Sequence, residues 1–154
     1  MKGFFKNVKK NDFPSNGFIL VDSLGGEIKI EPNSYLNFNV GREKFKSISD
    51  KSGKNRFMKS LVSGEKVNLF SHSYTFGVNV PGEGYQSGFN SDYYMQRGNA
   101  IFFVRIKDVF KRPERYFPGN QKLIDKIKRT KKNMPELVLW SLVYDGQIEL
   151  EDLP

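Results

Sequence analysis

The sequence predicts an α+β fold: a mainly antiparallel, twisted β-sheet over residues ~3–105, followed by a small helical cluster over ~106–146. Three observations predict it. Apolar and polar residues alternate with period two through much of the first hundred positions. After Arg105 the apolar spacing changes to i, i+3, i+4. Polar or Gly-rich breaks separate the short apolar runs between them. Period two marks a half-buried strand and the longer period an amphipathic helix.

Residues 17–21 (GFILV) and 27–30 (EIKI) flank SLGG, a hairpin signal. Residues 35–40 (YLNFNV) place Leu36, Phe38 and Val40 on one face and Asn37 and Asn39 on the other. The strand at 43–48 turns Phe45 and Ile48 inward, and DKSGKN at 50–55 is a polar turn. Residues 56–62 and 66–72 form a hairpin around Ser63, Gly64 and Glu65. The stretch 77–90 (GVNVPGEGYQSGFN) holds four Gly and one Pro and is expected to be a long, mobile loop. Residues 92–96 and 100–105 then pair around Arg97, Gly98 and Asn99.

Ile106, Val109 and Phe110 open the helical part, and Pro113 interrupts it. Asn120 is an N-cap candidate ahead of Leu123, Ile124 and Ile127, which share one helical face. Met134, Pro135 and Glu136 read as a second start, with Pro near N1 and an acid in the first turn. Residues 137–144 are apolar almost all round, so a buried helix is preferred there. The competing reading is a strand over 138–144 that turns at Asp145 and Gly146 into residues 147–150. Trp140, Leu137, Leu123, Ile127, Phe110 and Phe103 are expected to meet in the core between helix and sheet.

The 154 residues suit a single domain, with a β-rich part to 105, the helical part, and an acidic tail at 147–154 that can lie back on a basic face. Aromatic residues make up 14% of the chain, which argues against disorder. With no cysteine there is no disulfide framework and no thiolate metal site. No apolar run approaches the ~18 residues that span a bilayer. The N-terminus lacks the apolar core of a signal peptide.

The net charge of +8 lies wholly in residues 105–132, which hold eleven Lys or Arg against Asp108, Glu114 and Asp125. Arg105, Lys111, Arg115, Lys126 and Arg129 are the candidate contacts for an anionic partner, either membrane headgroups, polysaccharide or nucleic acid. The bland reading competes with this. These cations interleave with apolar residues at helical spacing, as on any wet helix face. Nucleic acid has a further requirement, aromatics beside the charge, and Tyr116 and Phe117 have the spacing of core residues instead. A second candidate surface is the 77–90 segment, with Tyr74, Phe76, Tyr85 and Phe89 in or beside it, since mobile aromatics suit recognition.

Catalytic signals are weak. His72 is the only histidine, and its neighbours Ser71 and Ser73 point to the opposite strand face. One histidine without cysteine or a DxDxDG loop gives no metal site, and no cofactor motif is present. The PGEGYQSG glycines lead into a strand and not a helix N-terminus, so they are no phosphate cradle. The acids Glu83, Asp92, Asp108 and Glu114 are scattered. An enzyme would need a deep pocket of convergent polar groups near His72.

Read together, IEPNSYLNFNVGREKFKSI, NRFMKSLVSGEKVNLF, DYYMQRGN and YFPGNQKLIDKIKRTKKNMPELVLWSLVYDG resemble a family of exported, largely uncharacterised proteins common in Bacteroidota. The likeness covers residues 17–146, with its C-terminal pattern on Tyr116, Phe117, Leu123, Ile127, Leu137, Val143 and Tyr144. Two positions depart from it. Gly119-Asn120 replaces the usual Asp-Cys, and Asp145 replaces an Asn. The resemblance implies a periplasmic or cell-surface location behind a leader absent from this chain, sometimes ahead of an outer-membrane barrel. Without it, a cytoplasmic location is the expectation. It implies no catalytic residues. The expected function is thus a non-enzymatic envelope binding or structural module, with a basic nucleic-acid-binding domain as the alternative and an enzyme third. Exposed strand edges offer a route to an oligomer or a partner strand.

Overall fold

The structure, a computed structural model, describes residues 4–6, 16–82, 84–130 and 135–153. Expectations that fall on Gly3, Glu83, Lys131, Lys132 and Met134 lie outside the described residues. The strands are β1 (Phe4–Lys6), β2 (Phe18–Val21), β3 (Glu27–Ile30), β4 (Asn37–Val40), β5 (Glu43–Ser49), β6 (Asn55–Ser63), β7 (Asn68–Val80), β8 (Gly84–Arg97) and β9 (Ala100–Val104). The helices α1 (Ile106–Lys111), α2 (Pro113–Tyr116), α3 (Gln121–Arg129) and α4 (Pro135–Asp145) follow, with a 3-10 turn at Leu150–Asp152. The expected α+β class and the change of period at Arg105 both hold. The strands form two sheets, β1-β2-β3 and β4-β5-β6-β7-β8-β9.

The chain divides into two compact units. Unit 1 comprises Met1–Lys59 and Ser71–Asp92, and unit 2 comprises Ser60–Phe70 and Tyr93–Pro154. Unit 1 has a small aromatic core. Phe18, Ile30 and Phe57 are buried, with Leu20, Ile28, Tyr35 and Phe38 packed around them. Antiparallel pairing sets Phe38 across from Phe45, and their rings stack at 5.1 Å. Phe38 also meets Phe57 edge-on at 4.7 Å. Such cross-strand aromatic pairs contribute beyond their buried area. Leu36, expected on the inner face, is 78% exposed. The strand begins one residue later, and the Leu36 carbonyl accepts from Ser47 N–H at 2.7 Å.

Unit 2 holds the larger core. Val62, Val67, Leu69, Met95, Val104, Val109, Tyr116, Phe117, Leu123, Ile127, Leu137, Trp140 and Val143 are buried together. Phe110 packs on this core, edge-on to Trp140 at 5.3 Å. Phe103 is a correction. Strand alternation sends Phe102 and Val104 to the core side, while Phe103 pairs with Tyr94 at 5.5 Å. Asn120 caps α3 as expected, its Oδ1 accepting from Leu123 N–H at 3.1 Å. Residues 135–145 are a helix, which settles the helix-or-hairpin alternative. The acidic tail lies back through its apolar residues: Ile148, Leu150 and Leu153 pack on the core.

The largest correction concerns residues 77–90. They are the ends of two long strands, β7 and β8, and not a loop. Ser73 and Ser91 hydroxyls meet at 2.9 Å, and Asn90 Nδ2 donates to Tyr74 Oη at 3.2 Å, which sets 73 across from 91 and 74 across from 90. The glycines have specific jobs. Gly82 and Gly84 take positive φ at the tip. Gly77 and Gly88 lie beneath aromatic rings: a Cβ on Gly77 would sit 1.8 Å from Tyr85 Oη, and one on Gly88 2.9 Å from Phe76.

Candidate functional site

The basic candidates Arg105, Lys111, Arg115, Lys126 and Arg129 are all exposed in unit 2. On α3, Lys122, Lys126 and Arg129 recur at i, i+4, i+7 and share the face opposite Leu123, Ile124 and Ile127, which are buried. Lys126, Lys128 and Arg129 lie in the last turn of α3, where they complement the helix dipole. Lys128 Nζ comes within 4.0 Å of Glu114, and the Arg105 guanidinium lies 6.0 Å from the Phe103 ring. Tyr116 and Phe117, the aromatics that a stacking surface would need, are 3% and 0% exposed.

The aromatic candidates are not brought to one place. Strand alternation puts Tyr74 and Phe76 on one face of the β7–β8 ribbon and Tyr85 and Phe89 on the other. Phe76, Val78, Tyr85 and Phe89 are 45%, 52%, 72% and 64% exposed.

Unit 1 carries a third arrangement, built on the 50–55 turn. Asp50 organises it. Its Oδ1 accepts from Ser52 N–H (2.8 Å), Ser52 Oγ (2.6 Å) and Lys54 N–H (3.0 Å), and its Oδ2 accepts from Arg56 Nε at 2.9 Å. Burial opposes the charge on Asp50, but the bonds from Ser52, Arg56 and Lys54 outweigh it and hold the carboxyl far below the usual range. Arg56 also donates from Nη1 to Asn16 Oδ1. Asn55 Nδ2 donates to Asn33 Oδ1 at 3.1 Å, and Asn55 Oδ1 accepts from Ser49 Oγ at 2.6 Å. Lys51 Nζ meets Asp92 Oδ2 at 2.9 Å. His72 is half-buried, and burial together with the Arg56 charge keeps its pKa below the ordinary value, against the pull of Asp92 and Asp50. Its ring lies 5.6 Å from Tyr74.

Beside this network lies a cleft of about 390 Å³ lined by Asn16, Glu31, Pro32, Asn33, Gly53, Lys54, Asn55 and Arg56. Its lining is rich in side-chain donors. Asn16 and Asn33 each accept from a protein donor through the side-chain oxygen, and each also carries an NH2 group that can donate. Arg56 keeps Nη2, and Lys54 adds an ammonium. The Glu31 carboxylate is engaged by Lys29 Nζ at 2.7 Å. The asparagine amides, Lys54 and Arg56 supply donors that suit an acceptor-only group such as a carboxylate or sulfate, beside one Glu31 oxygen that still accepts. None of Asn16, Asn33, Lys54 or Arg56 stood out in sequence, because amides in turns are ordinary turn formers.

Among the described residues, no three His, Cys, Asp or Glu side chains are grouped to hold a metal, and no helix is long and apolar enough to cross a membrane. The chain is an α+β protein with a polar, donor-rich cleft. No protein-family model, curated protein or solved structure matches it.

Proposed function

We propose that this chain is a non-enzymatic binding module of a bacterial cell envelope, exported, and that the unit 1 cleft takes an oxyanion on a hydroxylated ligand, as found in acidic polysaccharides. The envelope location rests on the resemblance carried by the strand and helix-pair patterns. The binding site rests on one observation: Asn16 and Asn33, whose side-chain oxygens are engaged by Arg56 and Asn55, line the cleft together with Lys54 and Arg56, so the lining is rich in side-chain donors. The chain's net charge of +8 favours the approach of an anion at low salt.

The test is a change of donor into acceptor at constant shape. Asn33→Asp still accepts from Asn55 and Asn16→Asp still accepts from Arg56, but each loses its NH2 and adds a negative charge. Glucuronate, glucose and sulfate are titrated and followed by NMR shifts of the cleft residues. Glucuronate and sulfate should bind the native chain, glucose should not, and each Asp variant should weaken binding roughly tenfold or more, since a charged acceptor now faces the anion. Unaltered melting shows that the fold is intact. Equal binding of glucose, or affinity that the Asp variants leave unchanged, rejects the reading. Tight binding of single-stranded DNA that persists in physiological salt supports the nucleic-acid reading instead.

A further inference from the structure

Asn16 is followed by Gly17, and no other asparagine of the chain precedes a glycine. That pair carries a chemistry of its own. The peptide nitrogen of the following residue can attack the asparagine side-chain carbonyl carbon and close a succinimide ring. Glycine permits this best, because it has no Cβ to crowd the approach and its backbone turns freely. The fold keeps glycine in place here. Gly17 takes φ +122°, and a Cβ there would lie 2.6 Å from the Ile30 carbonyl oxygen, so position 17 calls for glycine. Asn16 is exposed, so water reaches it, and the pairing of β2 with β3 starts only at Phe18.

The structure adds an activating group. Arg56 Nη1 donates to Asn16 Oδ1, the oxygen on which negative charge gathers when the Gly17 nitrogen attacks. A cationic donor on that oxygen acts as an oxyanion hole does. Arg56 is itself held, since its Nε donates to Asp50 Oδ2 at 2.9 Å, so the guanidinium is in position before the reaction begins. Asn33 and Asn55 make the contrast. The Asn33 oxygen accepts from a neutral amide, that of Asn55. Asn33 and Asn55 are followed by Ser34 and Arg56, whose Cβ atoms crowd the attacking nitrogen.

We propose that Asn16 is a self-modifying site, at which Arg56 promotes deamidation to aspartate and isoaspartate. The Gly17 nitrogen bonds to Asn16 Cγ, and the side-chain nitrogen leaves as ammonia with the proton that Gly17 gives up. Water then opens the succinimide at either carbonyl, and no other reactant is needed. The product is a carboxylate beside Arg56 in the lining of the cleft. One consequence rests on the reading of that cleft as an oxyanion site: the new charge repels the ligand, so anion binding declines as the protein ages.

The test incubates the full chain at mildly alkaline pH, folded and in denaturing urea, and follows each asparagine by peptide mass mapping. Conversion at Asn16 should run roughly tenfold faster in the folded chain than in urea, a small share of what a fully buried oxyanion donor supplies. Asn33 and Asn55 should convert more slowly when folded. Arg56→Gln, with its fold checked by melting, should bring the folded rate at Asn16 down to the rate in urea. Glucuronate affinity should fall in step with the converted fraction. Conversion of Asn16 that is no faster in the folded native chain than in urea overturns the proposal, and so does a folded rate that Arg56→Gln leaves unchanged. Fresh protein that fails to bind glucuronate overturns the cleft reading alone, because the mass readout needs no ligand.

Discussion

In unit 2, Trp140, Phe117, Leu123, Ile127 and Leu137 are at most 2% exposed and share one core. In unit 1 Phe18, Ile30, Phe45, Ile48, Phe57 and Met58 are buried, while Leu24, Leu36, Phe76, Val78, Tyr85 and Phe89 face solvent. The polar groups differ in the same sense. Unit 1 spends Asp50, Arg56 and three asparagines on a surface network. The polar contacts of unit 2 join its own elements, such as Tyr144 Oη donating to Pro118 O at 3.2 Å. One unit hides its large side chains and uses polar groups as fasteners. The other leaves both kinds available for contact. Recognition is therefore sought in unit 1, although the whole charge surplus lies in unit 2.

The sharpest test of that contrast is to empty each core. Trp140→Ala should cost about 3–5 kcal/mol in urea unfolding, because the surrounding helices cannot collapse into the space. Phe57→Ala should cost less, about 2–3 kcal/mol, since Phe38, Tyr35, Leu20 and Ile28 around it are only partly buried and can shift into the gap. Equal losses would break the comparison.

A good part of this was legible in sequence, and the failures have physical reasons. The period change at Arg105, the Asn120 cap, the Pro135 start and the inward Phe45 and Ile48 all follow from local rules that packing did not override. The 77–90 stretch misled because glycine has two uses. Gly82 and Gly84 take a turn conformation, but Gly77 and Gly88 make room for Tyr85 and Phe76, and no composition rule separates the two. Phe103 was misplaced because three aromatic or aliphatic residues in a row give no alternation to read. The cleft could not be foreseen at all. Asn16, Asn33 and Asn55 lie in separate segments, and only the fold brings them together.

Asp145 shows how a fastener in unit 2 differs from a binding group. Its Oδ1 accepts from Lys66 N–H at 2.7 Å and Val67 N–H at 3.1 Å, tying the end of α4 to the turn before β7. Gly64 leaves room for the carboxylate, since a Cβ there would lie 2.1 Å from it. An Asn at this position, as in the resembling family, could accept the same two bonds. Burial opposes the charge, but the bonds from Gln147, Lys66, Val67 and Glu65 lower the pKa from its ordinary 3.8. A carboxyl lowered on folding stabilises above its unfolded value, and that stability is lost as pH falls through the folded value. Asp145→Asn should therefore cost about 1 kcal/mol at neutral pH. The gap between variant and native should close in acid, as read from urea midpoints at the two pH values. A gap that persists in acid would mean that the charge contributes nothing.

The smallest expected effect bears on the charge surplus itself. Lys122, Lys126 and Arg129 are exposed on one face of α3, and none has an ion pair among the described contacts. Replacing all three with Ala removes a dipole contribution of a few tenths of a kcal/mol from the last turn, and Ala returns a similar amount through its helix propensity. Stability should stay within about 0.5 kcal/mol of native. Affinity for glucuronate or sulfate should also stay close to native, apart from a uniform weakening at low salt that disappears as salt screens the lost charges. If the triple variant instead abolished anion binding while Asn33→Asp left it intact, the contrast between the units would be reversed. The wet face of α3 would be the recognition surface, and the cleft only a tied-up turn.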